Sequence, residues 1–274
     1  MTLITFAPTQ VLAGLSAAEG NGFHPPTLSE FFPGQLFGAG TWWGPSRINL
    51  IGLLMAGLLA LFFVSAFRKP GVVPGRLQML GEMGVTFVRS QIIDEVIGKQ
   101  GRRFLPYLVT LFFMVFALNI AGVLPTLNMA GTAVIGVPMF LAGVSWVVFN
   151  VVGVQTHGLG GYLRNNLFPP GVPKPLYLLL TPIEAISTFV LRPVTLTIRL
   201  MANMMAGHLM LVLFFAASSY LLFEAQPALK PLGVAAVAMG FAFTLFEILV
   251  AGLQAYIFTL LTALYIGGAM SEAH

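Results

Sequence analysis

Cysteine is absent from the 274 residues, which excludes disulfide frameworks, thiolate metal ligation and cysteine nucleophiles. Charge is almost as scarce: Asp, Glu, Lys and Arg together make up 8% of the chain, against roughly 25% in a soluble domain. No Walker A loop occurs, because Gly98-Lys99 is followed by Gln100 rather than Ser or Thr, and zincin, Gly-x-Ser-x-Gly and solenoid patterns are missing too. The expectation is a chain with no cofactor, no metal and no catalytic site of its own. The pI near 9.6 is not a nucleic-acid signal here, since the basic residues sit mainly in short loops between apolar runs. What is abundant is apolar: 57% of residues, with a mean hydropathy of +0.90. Several stretches run at least 18 residues with few or no charges, enough to cross a hydrocarbon layer about 30 Å thick as helices. The chain therefore reads as an all-α membrane protein.

Residues 1–47 hold Glu19, Glu30 and Arg47 as their only formal charges and include the loop-like Phe23-His24-Pro25-Pro26. They read as an N-terminal extension on the outer side. The apolar start, Met1 to Leu15, lacks the basic region of a signal peptide and is expected to be retained. Residues 48–274 form the membrane domain, with a first crossing at about 48–67 stopped by Arg68-Lys69-Pro70. Over 72–99, Arg76, Glu82, Arg89, Asp94 and Glu95 alternate with Leu77, Leu80, Val85, Val88 and Ile92, the pattern of an amphipathic interfacial helix weakened by Gly81 and Gly84. Spans at about 105–125 and 132–155, linked near Asn128 and Gly131, read as a hairpin. A Gly/Pro-rich loop is expected from His157 to Pro175.

Two long apolar stretches follow, 176–223 and 231–270, separated only by Glu224 to Lys230. A helix over the first would be roughly 70 Å long, about twice what a vertical crossing needs. It must tilt steeply, bend, or be two spans. No glycine cluster supports a turn near 190–204, so a long tilted or bent helix is expected, with Pro182 and Pro193 as bends. The sum is five membrane-embedded helices, the last two long and steeply tilted, plus one interfacial helix. Orientation follows from charge. With the N-terminus outside, the inner loops hold Arg68, Lys69, Arg76, Arg89, Lys99, Arg102, Arg103, Arg164 and Lys174, while the outer regions hold Arg47 and Lys230. That asymmetry predicts an inner, cytoplasmic C-terminus.

Four formally charged residues lie within the spans: Glu184, Arg192, Arg199 and Glu247. Each costs about 2.5–3.5 kcal/mol on insertion scales and so calls for a partner, water or a function. Arg199 stands halfway along 176–223, where even a long side chain reaches neither interface easily. Arg192, seven residues before it, and Asn203, four after, lie within about 40° of one another on a helix. His208 is turned about 180° from Arg199. On the last helix, Glu247, Gln254 and Tyr265 share nearly one stripe, and Glu247 with His208 makes a natural acid and base pair for proton relay. Snorkelling accounts for Arg192 as well as a functional role does. Glu184 reads either as its structural partner or as a buried acid, and Asn119, Asn150, Asn203 and Gln254 as interhelical bonds or channel lining.

The run Arg192-Pro193-Val194-Thr195-Leu196-Thr197-Ile198-Arg199-Leu200-Met201-Ala202-Asn203-Met204-Met205-Ala206-Gly207-His208 resembles the signature helix of the subunit a family of F-type ATP synthases. So does Gln254-Ala255-Tyr256-Ile257-Phe258-Thr259-Leu260-Leu261-Thr262-Ala263-Leu264-Tyr265, and Asn119-Ile120-Ala121-Gly122-Val123-Leu124-Pro125 is a shorter third match. The likeness covers about 48–270. It implies a stator proton channel in a bacterial inner membrane, with Arg199 as the essential stator charge facing a rotating ring of c subunits. It also implies that Asn203, His208, Glu247 and Gln254 line aqueous half-channels, with Asn119 and Glu184 on the proton pathway and Arg192 and Tyr265 in support. A b-type peripheral stalk and, indirectly, the F1 ATPase are the further partners implied. The rival readings are a self-contained secondary carrier or anion channel whose arginines bind substrate, and an intramembrane hydrolase, for which no nucleophile accompanies His208 and Glu247.

Overall fold

The computed structural model describes residues 47–68, 71, 74–124, 131–168 and 176–271. The expected N-terminal extension, the hairpin link around Asn128 and the prolines at 169–175 lie outside them. The described residues are helical and contain no strand. Five helices among them are long and apolar enough to cross a membrane: Asn49–Phe67, Lys99–Val123, Gly136–Leu167, Tyr177–Glu224 and Pro227–Met270.

Helix α1 (Arg47–Phe67) is a plain crossing segment whose outward leucines, Leu53, Leu58 and Leu61, are exposed. Helix α2 (Arg76–Val88) runs through a π-helical turn at Arg89–Ile93 into a last turn at Asp94–Val96. Val88, Ile92 and Ile93 from this segment are fully buried, whereas Leu77 and Leu80 are exposed, so the apolar stripe read from the sequence splits between protein and surroundings. The two glycines that spoil its periodicity are its contact points. A Cβ on Gly81 would come within 3.1 Å of the Phe67 ring, and one on Gly84 would meet the Phe113 ring. They let α2 lie flat against α1 and the next helix. Gly98, at φ 76°, turns the chain where a side chain would be strained. A 3-10 stretch, Lys99–Phe104, then leads into α3 (Leu105–Val123), with Pro106 in the first turn where its missing N–H is harmless.

Helix α4 (Gly136–Leu167) departs from expectation. The glycine-rich segment after residue 155 is helical, not a loop, and the helix is broken at Gly158 (φ 71°, ψ 163°). The break folds the second arm back on the first: the Tyr162 hydroxyl donates to Asn150 Oδ1 at 2.9 Å, although twelve residues of straight helix would separate them by about 18 Å. The Tyr162 ring lies over Gly153, where a Cβ would collide with it.

The first long apolar stretch is one continuous helical run, not two spans. Helix α5 (Tyr177–Ile186) passes through a π-helical turn, Ser187–Leu191, into α6 (Arg192–Ser219), which ends in another π-helical turn, Tyr220–Glu224. Pro182 lies inside α5 and Pro193 in the first turn of α6. At 48 residues the run is about 72 Å long, more than twice the hydrocarbon thickness, so it must lie oblique to the membrane normal. Helix α7 (Lys230–Met270) matches it. Lipid tails give helices no hydrophobic reason to associate, so close approach of small residues takes over. The buried side of α7 accordingly carries Gly233, Gly240, Ala251, Ala255, Thr259, Thr262 and Ala263.

Helix α7 packs along α6, α3 and α4. One core joins Leu111, Val115 and Leu118 of α3 to Leu196 and Leu200 of α6 and Phe258 of α7. A second joins Ile92 and Ile93 to Leu108, Phe149 and Ile266. Hydroxyls bind three helices in series: Tyr107 (α3) and Ser145 (α4) are 3.0 Å apart, and Thr262 (α7) donates to Ser145 at 3.4 Å.

Candidate functional site

Helix α6 carries four of the polar positions expected to matter, Arg192, Arg199, Asn203 and His208, and its packing sorts them by face. Leu196, Leu200, Met204 and His208 are buried at four-residue steps, which leaves Val194, Thr195, Ile198, Arg199, Ala202 and Ala206 exposed. Arg199 thus projects from the outer surface of the bundle at the middle of a long apolar run. It makes no hydrogen bond or ion pair among the described residues. The ion pairs found there, Arg89 with Asp94 at 3.7 Å and Arg102 with Asp94 at 3.6 Å, belong to the interfacial segment.

The opposite side of α6 faces α7. His208 retains 7% accessibility and Glu247 3%. Their neighbourhood is created by Gly207: a Cβ there would overlap Glu247 Oε1. The carboxylate therefore rests on the backbone of α6 at Gly207.

Further along, Thr132 donates to Asn119 Oδ1 at 2.7 Å, and the adjoining Ala133 packs on Met204, next to Asn203. Gln254 is buried on α7. Asn119 Nδ2, Asn203 Nδ2, Glu247 Oε2 and Gln254 Nε2 are all buried with no protein partner. Such atoms cost about 1–3 kcal/mol each if left dry, and they recur on α3, α6 and α7.

Glu184 and Arg192 do not pair. Glu184 is half-buried on α5, while the Arg192 guanidinium turns to aromatic faces, 5.1 Å from the Tyr265 ring centroid and 5.9 Å from that of Phe149. The structural-partner reading of Glu184 is therefore corrected. The reason is local: Arg192 opens α6 directly after a π-helical turn and points between α4 and α7. Gly207, Thr132, Phe149 and Tyr162 were not singled out from the sequence. Only Gly207, beside His208, stands where small size could have signalled close approach. No group of three or more metal-ligating side chains occurs among the described residues.

The model of the family described as ATP synthase A chain matches residues 49–267. "ATP synthase subunit a" of Rhodococcus erythropolis is 49% identical, with 89% of each chain covered. The protein of that name from a Nocardioides species is 39% identical over 99% of this chain and 100% of its own. Another, from Hyphomonas neptunium, is 41% identical over 84% of this chain and 89% of its own. With the family model spanning most of the chain and relatives aligned nearly end to end, this membrane protein belongs to the ATP synthase A chain family.

Proposed function

We infer that the chain is the stator subunit of a bacterial inner-membrane ATP synthase and couples proton passage to rotation of a c ring. The observation that carries this reading is Arg199: a permanent cation on the outer face of the bundle, midway along a 48-residue apolar run, with no ion pair to a carboxylate among the described residues. A charge so placed requires an acidic partner from another molecule. Small neighbours, Thr195, Ala202 and Ala206, let a facing helix come close.

In this scheme a proton enters from the outer side past Asn119, His208, Glu247 and Gln254 and neutralises a rotor carboxylate, which can then face lipid. After nearly a full turn the protonated site meets Arg199, whose charge favours the carboxylate and expels the proton toward the inner side. The same guanidinium blocks a short circuit, because a group with pKa above about 12 does not relay protons. Each proton crossing 100 mV supplies about 2.3 kcal/mol. The N-terminus lies outside and the C-terminus in the cytoplasm, following the positive loops, and a b-type stalk holds the assembly still against the F1 ATPase.

Because the chain has no native cysteine, Arg199→Cys introduces a unique thiol in it. Oxidation is expected to cross-link position 199 to a cysteine placed beside the rotor carboxylate. A stand-alone carrier or anion channel would instead transport its substrate without any ring, and purification with no c ring attached would favour it. Gly207→Ala tests the passage itself. Its methyl group would displace the Glu247 carboxylate from α6, at an overpacking penalty of about 1–3 kcal/mol. Proton conduction by the reconstituted membrane sector is then expected to fall roughly tenfold, whereas unchanged conduction would remove this contact from the path.

A further inference from the structure

At the end of the bundle where α7 finishes lies a polar cavity of about 130 Å³ that the proposed proton path does not use. His157, at the break in α4, and Tyr162, Asn165 and Asn166 of the folded-back arm line one side of it, and Gly268 and Ser271 line the other. The bonds these groups have already made decide what they can offer a ligand. The Tyr162 hydroxyl donates to Asn150 Oδ1 at 2.9 Å, Asn166 Nδ2 to the Tyr162 carbonyl at 3.0 Å, and Ser271 Oγ to the Gly268 carbonyl at 3.0 Å. With those protons committed, Tyr162 Oη, Asn166 Oδ1 and Ser271 Oγ keep their lone pairs, and Asn165 adds a second amide oxygen. The last turn of a helix also leaves carbonyl oxygens and the negative end of its dipole.

His157 Nε2 is buried with no partner among the described residues, and a neutral imidazole protonated at Nδ1 accepts at that atom. The cavity is thus rich in acceptors, yet no carboxylate lines it among the described residues. Calcium and magnesium take oxygen ligands with carboxylates among them, and no group of three metal-ligating side chains occurs among the described residues. An organic ammonium suits the lining better: three N–H donors, one positive charge and no acceptor. The surroundings point to its carrier. Leu159 and Leu163, four residues apart on the arm, are exposed and offer a bed for acyl chains. Arg164, next to Asn165, is exposed as well. Arg103 Nη2 lies 3.6 Å from Met270 Sδ, on the turn of α7 that lines the cavity. A lipid with a phosphate and, two carbons further, a primary ammonium matches the basic rim, the acceptor-lined hollow and the apolar flank together.

We propose that the cavity between the folded-back arm of α4 and the last turn of α7 binds the headgroup of an aminophospholipid of the phosphatidylethanolamine class. Its ammonium sits among His157, Asn165 and Asn166, and its phosphate lies toward Arg103 and Arg164. Bound there, the lipid braces the arm against α7.

The test counts lipids on the complete membrane sector. Sectors are reconstituted in vesicles of phosphatidylethanolamine, phosphatidylcholine and phosphatidylglycerol in equal parts with identical acyl chains, extracted in mild detergent and weighed by native mass spectrometry. Phosphatidylcholine carries the same charges without an N–H, and phosphatidylglycerol carries the phosphate without an amine. The wild-type sector is expected to retain a phosphatidylethanolamine molecule in preference to both. His157→Phe, which keeps a ring but removes the acceptor, should lower that retention about tenfold. Gly268→Leu approaches from the other side: a Cβ there meets nothing within 4 Å, so the leucine can fill the cavity without a clash and should expel the lipid. Equal retention of phosphatidylcholine would overturn the proposal, and so would equal retention of phosphatidylglycerol, since the phosphate alone would then be recognised. Retention unchanged in both variants would overturn the assignment to this cavity. Displacement of the lipid by free ethanolamine at equal concentration would overturn the lipid as occupant in favour of a soluble amine. The comparison of lipids on the wild-type sector stands whether or not the variants assemble. Because binding is read and not conduction, failure of the stator reading leaves this result untouched.

Discussion

Arg199→Ala is expected to abolish ATP synthesis while the chain still inserts and assembles. Insertion should be unharmed because removing an intramembrane charge relieves about 2.5–3.5 kcal/mol, and because Arg199 contributes no hydrogen bond or ion pair among the described residues. Function should be lost because a charge about 4 Å from a rotor carboxylate, at an effective dielectric of about 20, is worth about 4 kcal/mol, or nearly a thousandfold in proton release. Vesicles carrying the variant, energised and supplied with ADP and phosphate, should make no ATP above background, while the chain is recovered with the ring at wild-type yield. Arg199→Lys is expected to fail as well. An ammonium keeps the charge but gives up the planar fork, and unlike a guanidinium it can lose its proton when desolvated. Normal proton-driven synthesis by Arg199→Ala would end the assignment of this residue.

The second large effect concerns the pair behind it. Glu247→Ala and His208→Ala are each expected to slow proton conduction by roughly a hundredfold, the scale of a lost acid or base, and to alter the pH profile of the flow. In the proposed path the two groups act in series, so the double variant should be little slower than the worse single one. Stability should separate this from a structural role. Glu247 Oε2 is buried without a protein partner, so a purely structural view predicts that Glu247→Ala leaves the fold as stable or more so, with no loss of flow. A more stable and nearly non-conducting sector is the signature of a residue kept for transport. Unchanged conduction in either single variant would take that residue off the pathway.

Much of this was legible from composition because lipid leaves few options: spans of sufficient length must be helices, and charges inside them must have a reason. The rule fixed the number of crossings and drew attention to Arg199, Glu247 and His208 before any contact was known. Glycine was where the reading failed. Gly158, Gly160 and Gly161 look like a loop because loops and broken helices share a composition, and only the backbone angle at Gly158 tells them apart. Gly81, Gly84 and Gly207 likewise seem to weaken helices, yet they are the surfaces on which Phe67, Phe113 and Glu247 rest. Of the two readings of Glu184, partner of Arg192 or buried acid, the structure does not bear out the first. The aromatic seat of Arg192 comes from Phe149, some forty positions away and indistinguishable in the sequence from any other apolar residue.

If the chain is the stator proposed above, the hydroxyl series from Tyr107 through Ser145 to Thr262 bears on how the part withstands torque. A turning rotor would push sideways on α6 and α7, and helices that slide freely in oil would yield to that shear. Interhelical hydrogen bonds in membranes average only about 0.6 kcal/mol each, too little to act as bolts. Their geometry, however, admits one register, and they latch the far side of α7 to α3 and α4 at a fixed axial offset. Any slippage must break them together with the interlocked small-residue surface around them, so the recoil of each step passes into the hairpin rather than being dissipated as creep.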